Sequence, residues 1–189
     1  MKKKGKLIIF SGPSGVGKST VRQEVFKHPE LNLKYSISMT TRAPREGEVN
    51  GVDYFFVTPA EFKKAIQNGE LLEYAEFVGN YYGTPKAYVE KLLNQGYNVV
   101  LEIEVVGATQ VMQAMDDYIS IFLVPPTIEE LENRIRNRRS EPEEIIQKRL
   151  NKAKVEMDLK NNYHFVVINT SIEQAEKEIV EIIKKAQEK

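Results

Sequence analysis

Gly12-Pro-Ser-Gly-Val-Gly-Lys18-Ser19-Thr20 lies directly after the apolar run Leu7-Ile-Ile-Phe10, and Val21, Val25 and Phe26 behind it are spaced for one face of a helix. The context is strand, glycine-rich turn, helix, and the pattern is G-x-x-x-x-G-K-S. Glycines at 12, 15 and 17 permit a turn in which several backbone N–H groups converge on one anion. The helix start adds its partial positive charge. Lys18 can reach terminal phosphates, and the Ser19 hydroxyl can ligate Mg²⁺. A nucleoside triphosphate needs all of these together, whereas a structural turn with a surface lysine needs far less.

Working outward, the runs at 7–10, 99–103, 119–124 and 165–168 are continuous and rich in β-branched residues, as buried parallel strands tend to be. Helices with readable starts lie between and after them. Thr127-Ile-Glu-Glu130 and Ser171-Ile-Glu-Gln174 read as capping boxes, with Ile128, Leu131 and Ile135, then Ile172, Ala175, Ile179 and Ile182, on single faces. This alternation predicts an α/β fold: a parallel core sheet with helices on both sides and a ligand beyond the carboxyl ends of the strands. Two stretches interrupt it. Residues 34–88 are rich in Tyr, Gly, Arg and Thr and read as an inserted lobe of short antiparallel strands, with one helix capped at Thr58-Pro59 and Glu61. Residues 134–149 carry Arg134, Arg136, Arg138, Arg139 and Arg149 around a turn at Ser140-Glu-Pro142, and read as a flap.

These interruptions hold most of the remaining polar chemistry. Arg42 and Arg45 flank Pro44 in a loop, either to grip a phosphate bidentately or as a solvated basic loop, and Tyr54 can add a phenolic O–H. Glu73 shares a strand face with Ala75 and Phe77 and wants a partner, unless it is an exposed strand glutamate. Thr84 before Pro85 reads as an N-cap, a role compatible with ligand binding. Glu102 and Glu104 close an apolar strand on one face, suited to a magnesium water shell or a ligand's N–H groups. The flap arginines suit either ion pairing with Glu129, Glu132, Glu143 and Glu144 or closure over transferring phosphates. His28 and His164 stand apart from any acidic cluster in the sequence and read as structural.

Bulk properties add limits. The 189 residues suit one domain, and with 41% hydrophobic residues the chain can bury a sizeable core. A formal net charge of zero gives no overall pull toward nucleic acid or membrane. There is no cysteine, hence no disulfide framework or thiolate metal site. The run after Met1-Lys-Lys-Lys4 is too short for a signal peptide, and no segment approaches membrane-spanning length, so a cytoplasmic location is expected.

Together these residues resemble the guanylate kinase family. The resemblance runs from about residue 6 to residue 183 and rests on the glycine-rich loop, on Ser-x-Thr-Thr-Arg-x-Pro-Arg-x-Gly-Glu-x-x-Gly-x-Asp-Tyr from Ser38 to Tyr54, in which the Gly-Glu pair is Gly47-Glu48 by position, and on Gly79-Asn-Tyr-Tyr82-Gly-Thr84. It implies a P-loop NTPase fold in one domain over 1–189, with core segments 1–33, 89–133 and 150–189, a mixed α/β GMP-binding lobe over 34–88 and a helical lid over 134–149. It implies transfer of a phosphoryl group from ATP to GMP with Mg²⁺. Gly12, Pro13, Ser14, Gly15, Val16, Gly17, Lys18, Ser19, Thr20 and Asn169 would hold ATP, and Ser19 and Glu102 the metal, Glu102 through water. Arg42, Arg45, Tyr54 and Tyr82 would hold the GMP phosphate, and Ser38, Glu73, Thr84 and Glu104 would read the guanine. Lys18, Arg42, Arg134, Arg138 and Arg149 would neutralise the transferring charge. Partners implied are ATP and GMP, with dGMP not distinguished and a homodimer left open. The chain departs from the family pattern at Val105-Val106, where a packing change is expected, at Arg139 and Pro142, which would stiffen the lid, and at Asn169-Thr170. A phosphopeptide-binding scaffold domain on the same fold would typically lack Lys18 or the loop glycines. A kinase of another phosphorylated acceptor would not need Glu73 with Ser38 and Thr84.

Overall fold

The apolar strand runs do form a parallel sheet. In a computed structural model that describes residues 3–138 and 142–188, the order is β1 (Leu7–Ser11), α1 (Lys18–Val25), β2 (Leu33–Tyr35), β3 (Met39–Thr40), β4 (Phe55–Phe56), α2 (Pro59–Gln67), β5 (Leu71–Phe77), β6 (Asn80–Pro85), α3 (Lys86–Asn94), β7 (Asn98–Glu102), α4 (Val105–Ala114), β8 (Tyr118–Val124), α5 (Ile128–Arg138), α6 (Glu143–Asp158), β9 (Phe165–Ile168) and α7 (Ile172–Gln187). Five strands align in the order β2-β7-β1-β8-β9, all parallel. Alternate residues feed opposite faces, as the strand period of two requires. Ile8 and Phe10 join Ile121 and Leu123 against α1, α5, α6 and α7, while Leu7 and Ile9 join Phe122 and Val124 against α3 and α4.

β9 departs from the expectation of a buried strand. It lies at the sheet edge with only Val167 buried, and Phe165, Val166 and Ile168 stay exposed. Its apolar run signalled a strand correctly but could not report its place in the order.

The second sheet has the order β4-β3-β6-β5. β3, β6 and β5 pair antiparallel, as expected for the lobe, but β4 pairs parallel to β3. β2, which straddles the expected start of the lobe at residue 34, belongs to the parallel sheet through β7. The edge strand β5 does not end in open hydrogen-bonding groups at Tyr74. Its N–H donates to Gln110 Oε1, and Gln110 Nε2 donates to its carbonyl, each at 3.1 Å. A side-chain amide from α4 thus takes the place of a neighbouring strand, which blunts an edge that would otherwise template pairing.

The helix starts follow the sequence signals to different degrees. Thr58 and Glu61 form a complete capping box on α2. Ser171 accepts from the Gln174 N–H, and Thr127 accepts from the Glu130 N–H, but the Glu130 carboxylate turns forward to Arg134. α5 and α6 are tied by Arg136, which pairs with Glu132 and bidentately with Glu143. This is the ion-paired role open to it in the sequence.

His28 is not remote from acids. It lies between Glu30 and Glu176 of α7, and Lys184 approaches Glu30 at 3.0 Å. Hydrogen bonds to Glu176 and then Glu30 raise its pKa above the ordinary value. Because the folded value exceeds the unfolded one, the stabilisation is complete below the unfolded pKa and is lost as pH rises through the folded pKa. His28→Gln is expected to lower Tm by about 2 °C near pH 5.5 and by nothing measurable near pH 9. Equal losses at both pH values in thermal melts would show that the imidazolium contributes nothing. His164 stacks on Tyr118, with ring centroids 5.0 Å apart.

Candidate active site

The turn between β1 and α1 is a closed cradle. Gly12, Gly15 and Gly17 all have positive φ, at 152°, 84° and 99°. A Cβ at Gly12 would lie 2.4 Å from the Leu123 carbonyl oxygen, so both backbone conformation and space demand glycine there. Val16 is fully buried in the same core cluster as Leu131 and Ile135 of α5, which pins the loop from beneath. The Val16 carbonyl accepts from Asn169 Nδ2 at 2.8 Å and from Arg134 Nη1 at 3.2 Å. Gly15, Gly17, Thr20, Arg134, Asn137 and Asn169 line a cavity of about 530 Å³ beside the loop, with Ser171 and Ile172.

Lys18 folds back onto its own loop, donating to the Gly12 carbonyl at 2.6 Å and the Pro13 carbonyl at 3.2 Å. Burial lowers its pKa, opposed by Glu102, Glu156 and Glu104. Ser19 Oγ donates to Glu102 Oε1 at 2.7 Å, and Arg22 Nε pairs with Glu102 Oε2. The Arg22 guanidinium also lies 4.6 Å from the Tyr35 ring centroid. Tyr35 itself is pushed up to about 12, by burial and then by Glu102.

A second cavity, about 280 Å³, opens between the two sheets. Ser38, Tyr54, Tyr82, Glu73, Glu102 and Glu104 line it. Glu73 is 7% exposed and accepts from Thr84 Oγ1 at 2.6 Å. Burial raises its pKa; the Thr84 bond opposes this and Glu104 adds to it. Gly107 makes room for it, since a Cβ there would lie 2.6 Å from Glu73 Oε2. Glu73 is therefore not an exposed strand residue. Thr84 is not the cap of α3 either: that position is Pro85, without a side-chain bond, and the Thr84 hydroxyl is committed to Glu73. β7 ends at Glu102, so Glu104 leaves the strand and stands at the N-cap of α4.

A buried carboxylate thus faces one cavity and the glycine-rich cradle lies beside another, and comparison with known proteins gives this arrangement a lineage. The family model described as Guanylate kinase matches residues 4–186. The chain is 59% identical over 183 residues to a guanylate kinase of Mesoplasma florum, covering 97% of this chain and 62% of that one. It is 55% identical over 181 residues to one of Bacillus anthracis, covering 96% and 88%.

The chain belongs to the guanylate kinase family.

The crystal structure of guanylate kinase from Anaplasma phagocytophilum superposes with a TM-score of 0.75 at 34% identity, covering 100% of this chain and 89% of that one. The Mesoplasma relative is longer, and this chain spans about three fifths of it. Among the residues that the guanylate kinase resemblance assigns to GMP, Ser38, Tyr54, Glu73, Tyr82 and Glu104 line one cavity, with Thr84 bonded to Glu73. Arg42 is held bidentately by Glu48 at 2.9 and 3.0 Å, with its guanidinium 5.3 Å from the ring centroid of Tyr54, which lines the cavity. Arg45 is exposed, and its N–H also donates to Glu48. Asn169, assigned to ATP, and Arg134, assigned to the transferring charge, meet at the Val16 carbonyl. Arg149 is half-buried on α6. The Arg138 side chain, with Arg139, Ser140 and Glu141, lies outside the described residues.

Val105 packs in the core while Val106 stays 63% exposed at the cavity mouth. The Arg22–Glu102 pair and Glu48 were missed in the sequence. Arg22 sits one turn behind Lys18 on α1, and that spacing was the available signal for it. Glu48 fell inside the quoted Arg-x-Pro-Arg-x-Gly-Glu pattern without a role.

Proposed function

We propose that this chain transfers the γ-phosphoryl group of ATP to the phosphate of GMP, giving ADP and GDP and returning GMP to the purine nucleotide pool. The observation that carries this is Glu73, a buried carboxylate at the cavity between the sheets with Thr84 on one oxygen. Guanine presents donors at N1 and N2 and acceptors at O6 and N7. Glu73 and Glu104 match the donors and the Ser38 hydroxyl matches an acceptor, while Thr84 spends its one proton on Glu73 and so orients that carboxylate toward the base. Adenine would set its N1 acceptor against a carboxylate, and a site that leaves buried polar groups unpaired rejects the wrong base by roughly 10⁴-fold.

Tyr54, Tyr82, Arg42 and Arg45 serve the GMP phosphate in this reading, with Arg42 released from Glu48 as the phosphate arrives. Lys18 leaves the Gly12 carbonyl for the ATP phosphates, and Arg134, Arg138 and Arg149 close over them. The acceptor oxygen belongs to a phosphate dianion and carries no proton to remove, so the site needs no general base. Catalysis is alignment of two anions with neutralisation of their charge. Lid closure excludes water that would otherwise hydrolyse ATP.

Ser19 and Glu102 fit a magnesium ion, since two hard oxygen donors meet at the foot of the loop. Among the described residues no cluster of three or more His, Cys, Asp or Glu forms a metal cage. That suits an ion delivered with the nucleotide, held by few protein oxygens. When bound, it supplies Lewis-acid neutralisation of the phosphate oxygens.

Coupled ADP release with ATP and Mg²⁺, offering GMP, dGMP, AMP, CMP and UMP in parallel, tests the reading. Turnover confined to guanine nucleotides is expected. Equal turnover with AMP, or none with any acceptor, would overturn it. No helix among the described residues is long and apolar enough to cross a membrane, and the reaction is assigned to the cytoplasm in this reading.

A further inference from the structure

Glu104 does not stand alone at the guanine cavity. Its Oε2 accepts from Lys152 Nζ at 2.9 Å, which leaves its other oxygen for a ligand. The same ammonium lies 3.7 Å from Oε1 of Glu156, one turn further along α6. Glu156 is only 8% exposed, and its Oε2 has no hydrogen-bond partner. Burial raises the Glu156 pKa and Lys152 is the first group to oppose this, so carboxylate and ammonium hold each other, and burial leaves Glu156 no room to turn away. The three side chains form a line from the interior of α6, through Lys152, to the cap of α4 and the cavity wall.

We propose that Lys152 is a positioning residue for base recognition, holding Glu104 in place at the guanine cavity while the buried Glu156 holds Lys152. This rests on the reading of GMP as acceptor. Its physical basis is charge. Glu73 and Glu104 face one cavity, and guanine is neutral, so nothing in the base offsets two carboxylates. Repulsion between them drives the more exposed Glu104 outward, and a single ammonium beside it removes that tendency. A long exposed side chain such as Glu104 also loses rotamer freedom when it meets a ligand, and a bond already made to Lys152 lowers that loss. A competing role, in which Lys152 hoards Glu104 and guanine must displace it, predicts the opposite sign for every effect on GMP.

Lys152 is exposed, so Lys152→Met removes charge without emptying the core. In steady-state kinetics of the full chain, KM for GMP is expected to rise about tenfold in Lys152→Met, with kcat and KM for ATP within about twofold of the parent. Lys152→Arg is expected to bring KM for GMP back to within about threefold. An unchanged or lowered KM for GMP in the Met variant overturns the proposal, as does an equal rise for both substrates or a failure of arginine to restore binding. The parent chain is assayed first: absence of GMP turnover there overturns the substrate reading itself, a result distinct from any change confined to the variants.

Discussion

Lys18→Ala is expected to lower GMP-dependent ADP release by about 10³-fold or more, in a protein that melts as the parent does. The argument starts from where the amine now lies. It is parked on two carbonyls of its own loop, acceptors that solvent satisfies once it leaves. Its neighbours Glu102, Glu156 and Glu104 keep it cationic against the burial that lowers its pKa. It is thus a charged group held by weak neutral acceptors, which a triphosphate outbids at once. Alanine removes that charge and leaves the three glycines, and the backbone donors they aim, unchanged. Lys18 also opens α1, a position where alanine is a good helix former. Retention of a tenth or more of the parent rate, with unchanged circular dichroism, would mean that the loop backbone and arginines carry the reaction without it.

Glu73→Gln has the second large effect, and it cuts both ways. Specificity for GMP, as kcat/KM, is expected to fall by about 10²- to 10³-fold while ATP binding by calorimetry is unchanged, because an amide presents an N–H where the base presents one too. Stability moves the other way. Burial lifts the Glu73 pKa, so its folded value exceeds its unfolded value, the native chain binds that proton more tightly, and stability falls as pH rises through this range. Glutamine carries no such penalty. The variant should therefore melt above the parent at neutral pH, by a margin that shrinks toward about pH 4. Equal losses in GMP and ATP binding would remove Glu73 from base recognition. A variant less stable at neutral pH would mean that the carboxylate is anchored by more than Thr84.

The parts of this molecule that were legible in the sequence are those whose physics is local. The glycine-rich cradle, the α2 capping box and the continuous apolar strand runs each lie within a few consecutive residues. What stayed hidden depends on residues that the fold alone brings together. Ser19 and Arg22 meet Glu102 across 83 and 80 positions, Lys152 meets Glu104 across 48, and His28 meets Glu176 across 148. No periodicity reports such pairs. Thr84 was misread as a cap for the same reason: the sequence shows Pro85 beside it, but not the buried Glu73 on the adjoining strand. β9 shows a different limit, since composition signals a strand but not whether it ends at the rim of the sheet.

The two hydrogen bonds between Tyr74 and the Gln110 amide reach past the protection of one strand edge. They tether one side of the second sheet to α4 of the core. Glu73 lies next to that tether, wedged against Gly107, while the order β4-β3-β6-β5 puts β3 and β4, with the loop of Arg42 and Arg45 between them, at the opposite side. In the proposed reading, the base is met at the tethered side of this sheet and the phosphate at its far side, so a closing movement of the sheet carries the arginine loop farther than it carries Glu73.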